Sequence, residues 1–287
     1  MKIAHVSDLH FGRHIQALAD SLAADIRQQA PNLLIASGDF TQIGSTSEFR
    51  AARAFLDSLG IPFLAVPGNH DVPAVNFLRR FLAPYGLFRR HISREIEPFL
   101  EMGGIAFAGL NTARRMRLEW NWSHGSISRS QLCALERRFE RASPDAIRVV
   151  IAHHPLLQPE VAGEVTMRQV DRADQALETL SRLGVRLVMS GHFHLSYVRR
   201  HVRAVEVVEG APLGARSAAA APLLVVQASS AISTRLRGEP NAYNIIRFGP
   251  EPDRIDVEMR EWHESGWRAR PQPVPSKLPD ATAAVSS

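Results

Sequence analysis

Six apolar runs of strand length, each followed at once by a residue that can bind a metal or move a proton, constrain this chain more than any other feature. The runs cover residues 3–6, 33–36, 63–66, 105–110, 149–152 and 187–189, a length that suits buried strands. Behind them stand Asp8 and His10, then Asp39, then Asn69 and His70, then Asn111, then His153, and finally His192 and His194. In open α/β sheets the carboxyl ends of the strands point into one crevice, so residues far apart in the chain would converge there.

Helical patterns separate the runs. Ile15, Leu18, Leu22 and Ile26 recur on one face. Phe49, Ala52, Leu56 and Leu59 do the same between a Ser45-x-x-Glu48 capping box and Gly60. Ser128-x-x-Gln131 opens a third helix carrying Leu132, Leu135 and Phe139, and Leu177 and Leu180 lead to Gly184 in a fourth. Strand and helix in alternation predict an α/β domain with parallel or mixed strands. After residue 195 the runs 197–208, 223–228, 243–248 and 255–259 read as strands that finish a second sheet. Residues 271–287, with four prolines, are expected to form a disordered tail behind a single domain of residues 1–270.

Composition narrows the setting. No apolar run approaches the roughly 18 residues of a membrane span, and MKIAHVSDLH meets polar residues before any leader-like stretch, so membrane insertion is not expected and a cytoplasmic location is. The single cysteine, Cys133, excludes an internal disulfide and any site built of several thiolates; beside Leu132 it is expected in the core. The net charge is +5, and all but Lys2 and Lys277 of the 34 basic residues are arginine. Arginine suits phosphate-bearing partners, but an excess this small and this dispersed predicts no nucleic-acid partner.

The motifs differ in weight. Asp8-x-His10 and Gly38-Asp39 are cheap, whereas Gly68-Asn69-His70-Asp71 or Gly191-His192-Phe193-His194 should arise by accident in fewer than about one chain in a hundred. Their bland reading is a set of turn residues and hydrogen-bonded core histidines. Carboxylate, imidazole and carboxamide without thiolate suit Mn, Fe or Zn. Two metals about 3.5 to 4 Å apart need a ligand that reaches both, and a carboxylate can bridge them.

The ordered blocks Asp8-x-His10, Gly38-Asp39, Gly68-Asn69-His70-Asp71, His153-His154-Pro155 and Gly191-His192-x-His194 resemble those of the calcineurin-like metallophosphoesterases over residues 1 to 200. Within that superfamily the SDLHFG opening and compact length are most similar to the bacterial cyclic-nucleotide and glycerophosphodiester phosphodiesterases. The resemblance implies a four-layer α-β-β-α sandwich of two mixed sheets flanked by helices, with two metal ions, Mn, Fe or Zn. By matching motif positions, one metal takes Asp8, His10, Asp39 and His194; the other takes Asp39, Asn69, His153 and His192. His154 stands behind them. It further implies a small-molecule phosphodiester substrate, a 3',5'-cyclic nucleotide first, attacked in line by a water held between the metals. Alternatives are a glycerophosphodiester, a lipid-linked nucleotide pyrophosphate, with residues 75–87 as the nearest lid, or a silent binding scaffold, against which the complete ligand set argues. His70 is expected to protonate or stabilise the leaving oxygen, with Asp71 orienting its ring.

Other residues carry two readings each. Asn111 and Arg114, with Arg115, would hold substrate phosphate or sugar, or cap their loop. Trp120 and Trp122, with His124, would pack a loop or stack on a base. His5 is expected as a hydrogen-bonded core histidine. Arg235 and Arg237 follow a predicted strand, on a loop that either borders the site or is plain surface.

Overall fold

Alternation along the strands decides how the layers stack. The computed structural model describes residues 1–114, 124–159, 169–201, 222–249 and 254–270. The expected tail, Arg115, Trp120 and Trp122 lie outside these residues.

In chain order the elements are β1 (Lys2–Val6), α1 (Gln16–Gln29), β2 (Leu33–Ala36), α2 (Thr46–Ser58), β3 (Phe63–Ala65), α3 (Phe77–Leu82), α4 (Gly86–His91), β4 (Phe99–Met102), β5 (Ile105–Leu110), α5 (Arg129–Phe139), β6 (Ile147–Ala152), α6 (Ala173–Arg182), β7 (Val185–Ser190), β8 (Tyr197–His201), β9 (Leu223–Gln227), β10 (Ala242–Phe248), β11 (Ile255–His263) and β12 (Gly266–Ala269). Both Ser45 and Ser128 close the capping boxes read from the sequence.

One sheet runs β12-β11-β10-β1-β2-β3 and the other β4-β5-β6-β7-β9-β8. Both are mixed: β1, β2 and β3 are parallel, as are β5, β6, β7 and β9, and the outer strands pair antiparallel. Leu33 and Ile35 of β2 meet Val149 and Ile151 of β6 in the core between the sheets. Their neighbours Leu34 and Ala36 face Leu22, Ile26 and Phe49 of α1 and α2, while Val150 and Ala152 face Leu135, Phe139 and Leu177 of α5 and α6. A period of two thus divides each strand between an inner and an outer core, giving the α-β-β-α layering.

Two expectations need correction. The late strands do not all finish a second sheet: β8 and β9 do, but β10, β11 and β12 complete the first, with β10 antiparallel to β1. Nothing in local periodicity reveals that an N-terminal strand pairs with one some 240 residues on. Cys133 is exposed, because the buried stripe of α5 falls on Leu132, Leu135 and Phe139. The segment after residue 75, considered above as the nearest lid, contains two short helices, α3 and α4.

Candidate metal centre

The loops that leave β1, β2 and β7 bend sharply to present their ligands. Asp8, His10, Asp39, His192 and His194 all have positive φ, between 45° and 77°, which costs a non-glycine residue energy and persists where the surroundings over-determine it. Two glycines make room. A Cβ on Gly68 would collide with the Asp39 carboxylate, and one on Gly191 with Ser7 Oγ and Asp8 Oδ2.

The side chains converge as the spacing implied. Asp8 Oδ1 lies 3.1 Å from His194 Nε2 and 3.6 Å from His10 Nε2. Asp39 Oδ2 lies 3.7 Å from His10 Nε2 and 3.2 Å from His153 Nε2, so it sits between the two groups. Asn69 Oδ1 is 3.2 Å from His153 Nε2, and ligand atoms of His153, His154 and His192 lie within 4.8 Å of one another.

Backbone carbonyls set the imidazoles. His10 Nδ1 donates to Thr41 O at 3.3 Å, His153 Nδ1 to Ser37 O at 2.8 Å, and His194 Nδ1 to Arg235 O. Each bond turns the Nε2 lone pair into the cluster, the second layer that metal-binding histidines commonly have. The donor set therefore fits a cation. His153 Nε2 faces two oxygens, His10 and His194 turn Nε2 atoms toward each other at 3.4 Å, and buried Asp8 Oδ1 has no hydrogen-bond partner. Lone pairs so crowded are reconciled by protons or by metal ions.

The electrostatics agree. Burial opposes charge on the Asp8 and Asp39 carboxyls, yet the surrounding histidines hold both well below the usual carboxylate range. Burial likewise opposes charge on His153, but Asp39 outweighs it and pushes the imidazole up to about 9. His192 falls to about 3 through burial and the nearby His153, which keeps it neutral.

His70 stands beside the cluster, its ring edge-on to His10 at 4.8 Å. Burial lowers its pKa, despite nearby Asp39. The His70 main-chain N–H donates to Asp39 Oδ1 at 2.8 Å. The expectation that Asp71 orients this ring is corrected: Nδ1 donates instead to Gln42 O at 2.7 Å. Asp71 is a buried brace, accepting from Gly68 N at 2.9 Å, Thr41 N at 3.1 Å and Thr41 Oγ1 at 3.0 Å. Burial and the Asp39 carboxylate push its carboxyl up to about 7.

The other expected contacts divide. Asn111 caps its own loop, Oδ1 accepting from Ala113 N at 3.1 Å. Arg114 donates to Ser126 Oγ at 2.6 Å, to Ser126 O and to Gln131 Oε1 at 2.9 Å, which ties that loop to α5. His154 Nδ1 shares a hydrogen with Thr112 Oγ1 at 2.7 Å, behind the ligands. His5 is the satisfied core histidine expected, on Ser37 Oγ at 2.9 Å, with burial lowering it to about 3. Residues without a readable spacing complete the frame: Ser230 Oγ donates to Asp8 O at 2.8 Å and Gln227 Nε2 to Gly191 O. Only the predicted strand 223–228, which contains Gln227 and ends just before Ser230, pointed toward them.

Fold and site together define a metal-dependent hydrolase of the α-β-β-α sandwich class. The chain belongs to the calcineurin-like phosphoesterase family, whose model matches residues 1–196. It is 27% identical over 212 residues to a Synechococcus sp. protein named "Probable cyclic nucleotide phosphodiesterase", covering 69% of this chain and 75% of that one. Over 170 residues it is 28% identical to the glycerophosphodiester phosphodiesterase GpdQ of Enterobacter lignolyticus, covering 55% and 58% of the two chains. Among solved structures, a dimetal phosphatase from Danio rerio superposes with a TM-score of 0.61 at 12% identity, covering 93% of this chain and 96% of that one. A purple acid phosphatase from yellow lupin (Lupinus luteus) seeds gives 0.60 at 12%, covering 91% and 51%. These two likenesses bear on the fold. The protein is thus a metal-dependent phosphoester hydrolase. No helix among the described residues is long and apolar enough to cross a membrane.

Proposed function

We propose that the chain hydrolyses a phosphodiester, a 3',5'-cyclic nucleotide first among the candidates, at a pair of metal ions. The observation that carries this reading is Asp39, whose Oδ2 lies within 4 Å of Nε2 on both His10 and His153 and so can serve two ions at once. Asp8, His10, Asp39 and His194 would hold one ion; Asp39, Asn69, His153 and His192 would hold the other. When bound, such ions acidify a water and draw off charge that develops on phosphoryl oxygens. The residues supply the rest. Carbonyls of Ser37, Thr41 and Arg235 keep the imidazoles turned inward, Asp71 fixes the turn that carries Asn69 and His70, and His70 borders the substrate side.

The test is manganese-dependent hydrolysis of bis(p-nitrophenyl) phosphate against p-nitrophenyl phosphate, with Asp39→Ala alongside, followed by cyclic AMP. Diester cleavage that vanishes with Asp39 supports the reading. A protein that holds metal but cleaves nothing with Mn, Fe or Zn overturns it.

A glycerophosphodiester or lipid-linked pyrophosphate substrate is the second reading. Its lipid-linked form is favoured by the exposed apolar side chains that follow the His70 turn, Val75 at 73%, Leu78 at 71% and Leu82 at 76%. Failure to bind liposomes removes its lipid-linked form.

A further inference from the structure

The loop after β9 reaches the site twice. The Arg235 carbonyl accepts from His194 Nδ1, and its guanidinium lies 2.8 Å, through Nη1, from His70 Nε2. The roles in this second contact follow from what each partner can offer. A carbonyl oxygen only accepts, so His70 Nδ1, on Gln42 O, carries the ring hydrogen. A guanidinium only donates, so His70 Nε2 is an acceptor. In this arrangement the ring has no hydrogen to offer a leaving oxygen.

The hydrogens at the edge of the cleft belong to Arg235 instead. Its fork carries five N–H donors in a fixed plane, matched to pairs of phosphate oxygens. One of them rests on His70, and among the described residues no carboxylate forms an ion pair with the guanidinium. The cation is half-buried and is anchored at its backbone, where its N–H donates to Ser233 Oγ at 2.9 Å. A cation held beside His70, on a residue whose carbonyl orients His194, and without a fixed anion is suited to an anionic oxygen that arrives with the substrate.

We propose that Arg235 is a catalytic residue that grips a nonbridging phosphoryl oxygen, and that His70 is the positioning residue that holds the guanidinium over the cleft. The proposal rests on the phosphodiesterase reading for the identity of the substrate. It moves the hydrogen-bond donor at the reacting group from the histidine to the arginine, where it is preorganised for charge that grows in the transition state.

The experiment compares wild type, Arg235→Ala, Arg235→Lys, His70→Ala and the double alanine variant, all loaded with manganese. Metal content is the first readout. The carbonyl that orients His194 belongs to the main chain and survives side-chain replacement, so both Arg235 variants should retain wild-type metal. Calorimetric titration with inorganic phosphate is the second: Arg235→Ala should bind about 10- to 100-fold more weakly, with Arg235→Lys between it and wild type. The third is kcat/KM for bis(p-nitrophenyl) phosphate. His70→Ala alone should lose activity, yet should cost less than about twofold more once Arg235 is already alanine, because the ring acts through the guanidinium.

Unchanged phosphate affinity in Arg235→Ala overturns the proposal, as does loss of metal from both Arg235 variants. Losses that multiply in the double variant overturn the part assigned to His70. A wild type that binds phosphate but cleaves no ester refutes the hydrolytic reading, while the phosphate titration still decides whether Arg235 grips the anion.

Discussion

The floor of the crevice and its mouth are built on different principles. On the floor, Asp8, His10, Asp39 and His153 are at most 1% exposed, and ligand loops are held in unfavourable backbone conformations by hydrogen bonds and glycine clearances. At the mouth, Arg235 hangs from an irregular loop, Leu236 beside it is exposed, and α3 turns Leu78 and Leu82 to solvent. On the proposed function, the buried floor would hold the reacting phosphoryl group and the more exposed mouth would meet the rest of the substrate. A family can therefore keep one chemistry while its substrates diverge.

That contrast can be broken most severely at Gly191. In Gly191→Ala the new methyl must displace Ser7 or Asp8, so metal affinity should fall about 10- to 100-fold and stability by about 1–3 kcal/mol. Metal titration and thermal unfolding check both. A variant with normal metal binding would show that the floor yields as readily as the mouth.

A second test uses protons. His153, raised to about 9, keeps its proton at pH 7 in the metal-free chain, and a metal must displace it. Affinity for the metal should therefore climb by up to about tenfold per pH unit from 7 and level off above 9. Calorimetry in buffers of different ionisation enthalpy should register protons released at pH 7. Metal binding indifferent to pH over this range would place the titrating group elsewhere.

Smaller effects belong to the mouth. Arg114→Ala removes bonds that tie a loop to α5, so it should lower stability by about 1–2 kcal/mol while kcat/KM for bis(p-nitrophenyl) phosphate changes little. A large rise in KM with stability intact would return Arg114 to the substrate. Least of all, Leu82→Ser should move stability by no more than about 0.5 kcal/mol and leave turnover of that small ester alone. A substrate lost only by this variant would have to be one with apolar chains.

What was legible in the sequence follows the same division. Asp8, His10, Asp39, Asn69, His153, His192 and His194 could be gathered into one crevice because each follows a buried strand, and their selection as proposed ligands came from the family resemblance. Layering could be read because buried strands show as apolar runs and amphipathic helices as stripes. Pairing of β10 with β1 could not, since register between distant strands leaves no local trace. Nor could the partner of the His70 ring: Asp71 is adjacent in sequence, but the 3-10 turn Asn69–Asp71 sends its carboxylate toward Gly68 and Thr41 and leaves the imidazole to Gln42. Arg235 was visible only as a loop arginine, because its significance depends on a neighbour 165 positions away.

The return of β10 to lie against β1 also sets a timetable for biosynthesis. All seven proposed ligands have been translated by residue 194, yet the strand that flanks the first of them, and Ser230, which holds Asp8, are still to come. A nascent chain at that point displays an open edge on β1, where a stray strand could add. Contacts that span most of the chain form only after their loop-closure entropy has been met, so this pairing comes late in folding. Metal capture is therefore expected to follow completion of the sheet, so that the cell meets this protein first as a metal-free chain that must be shielded, and only later as an enzyme.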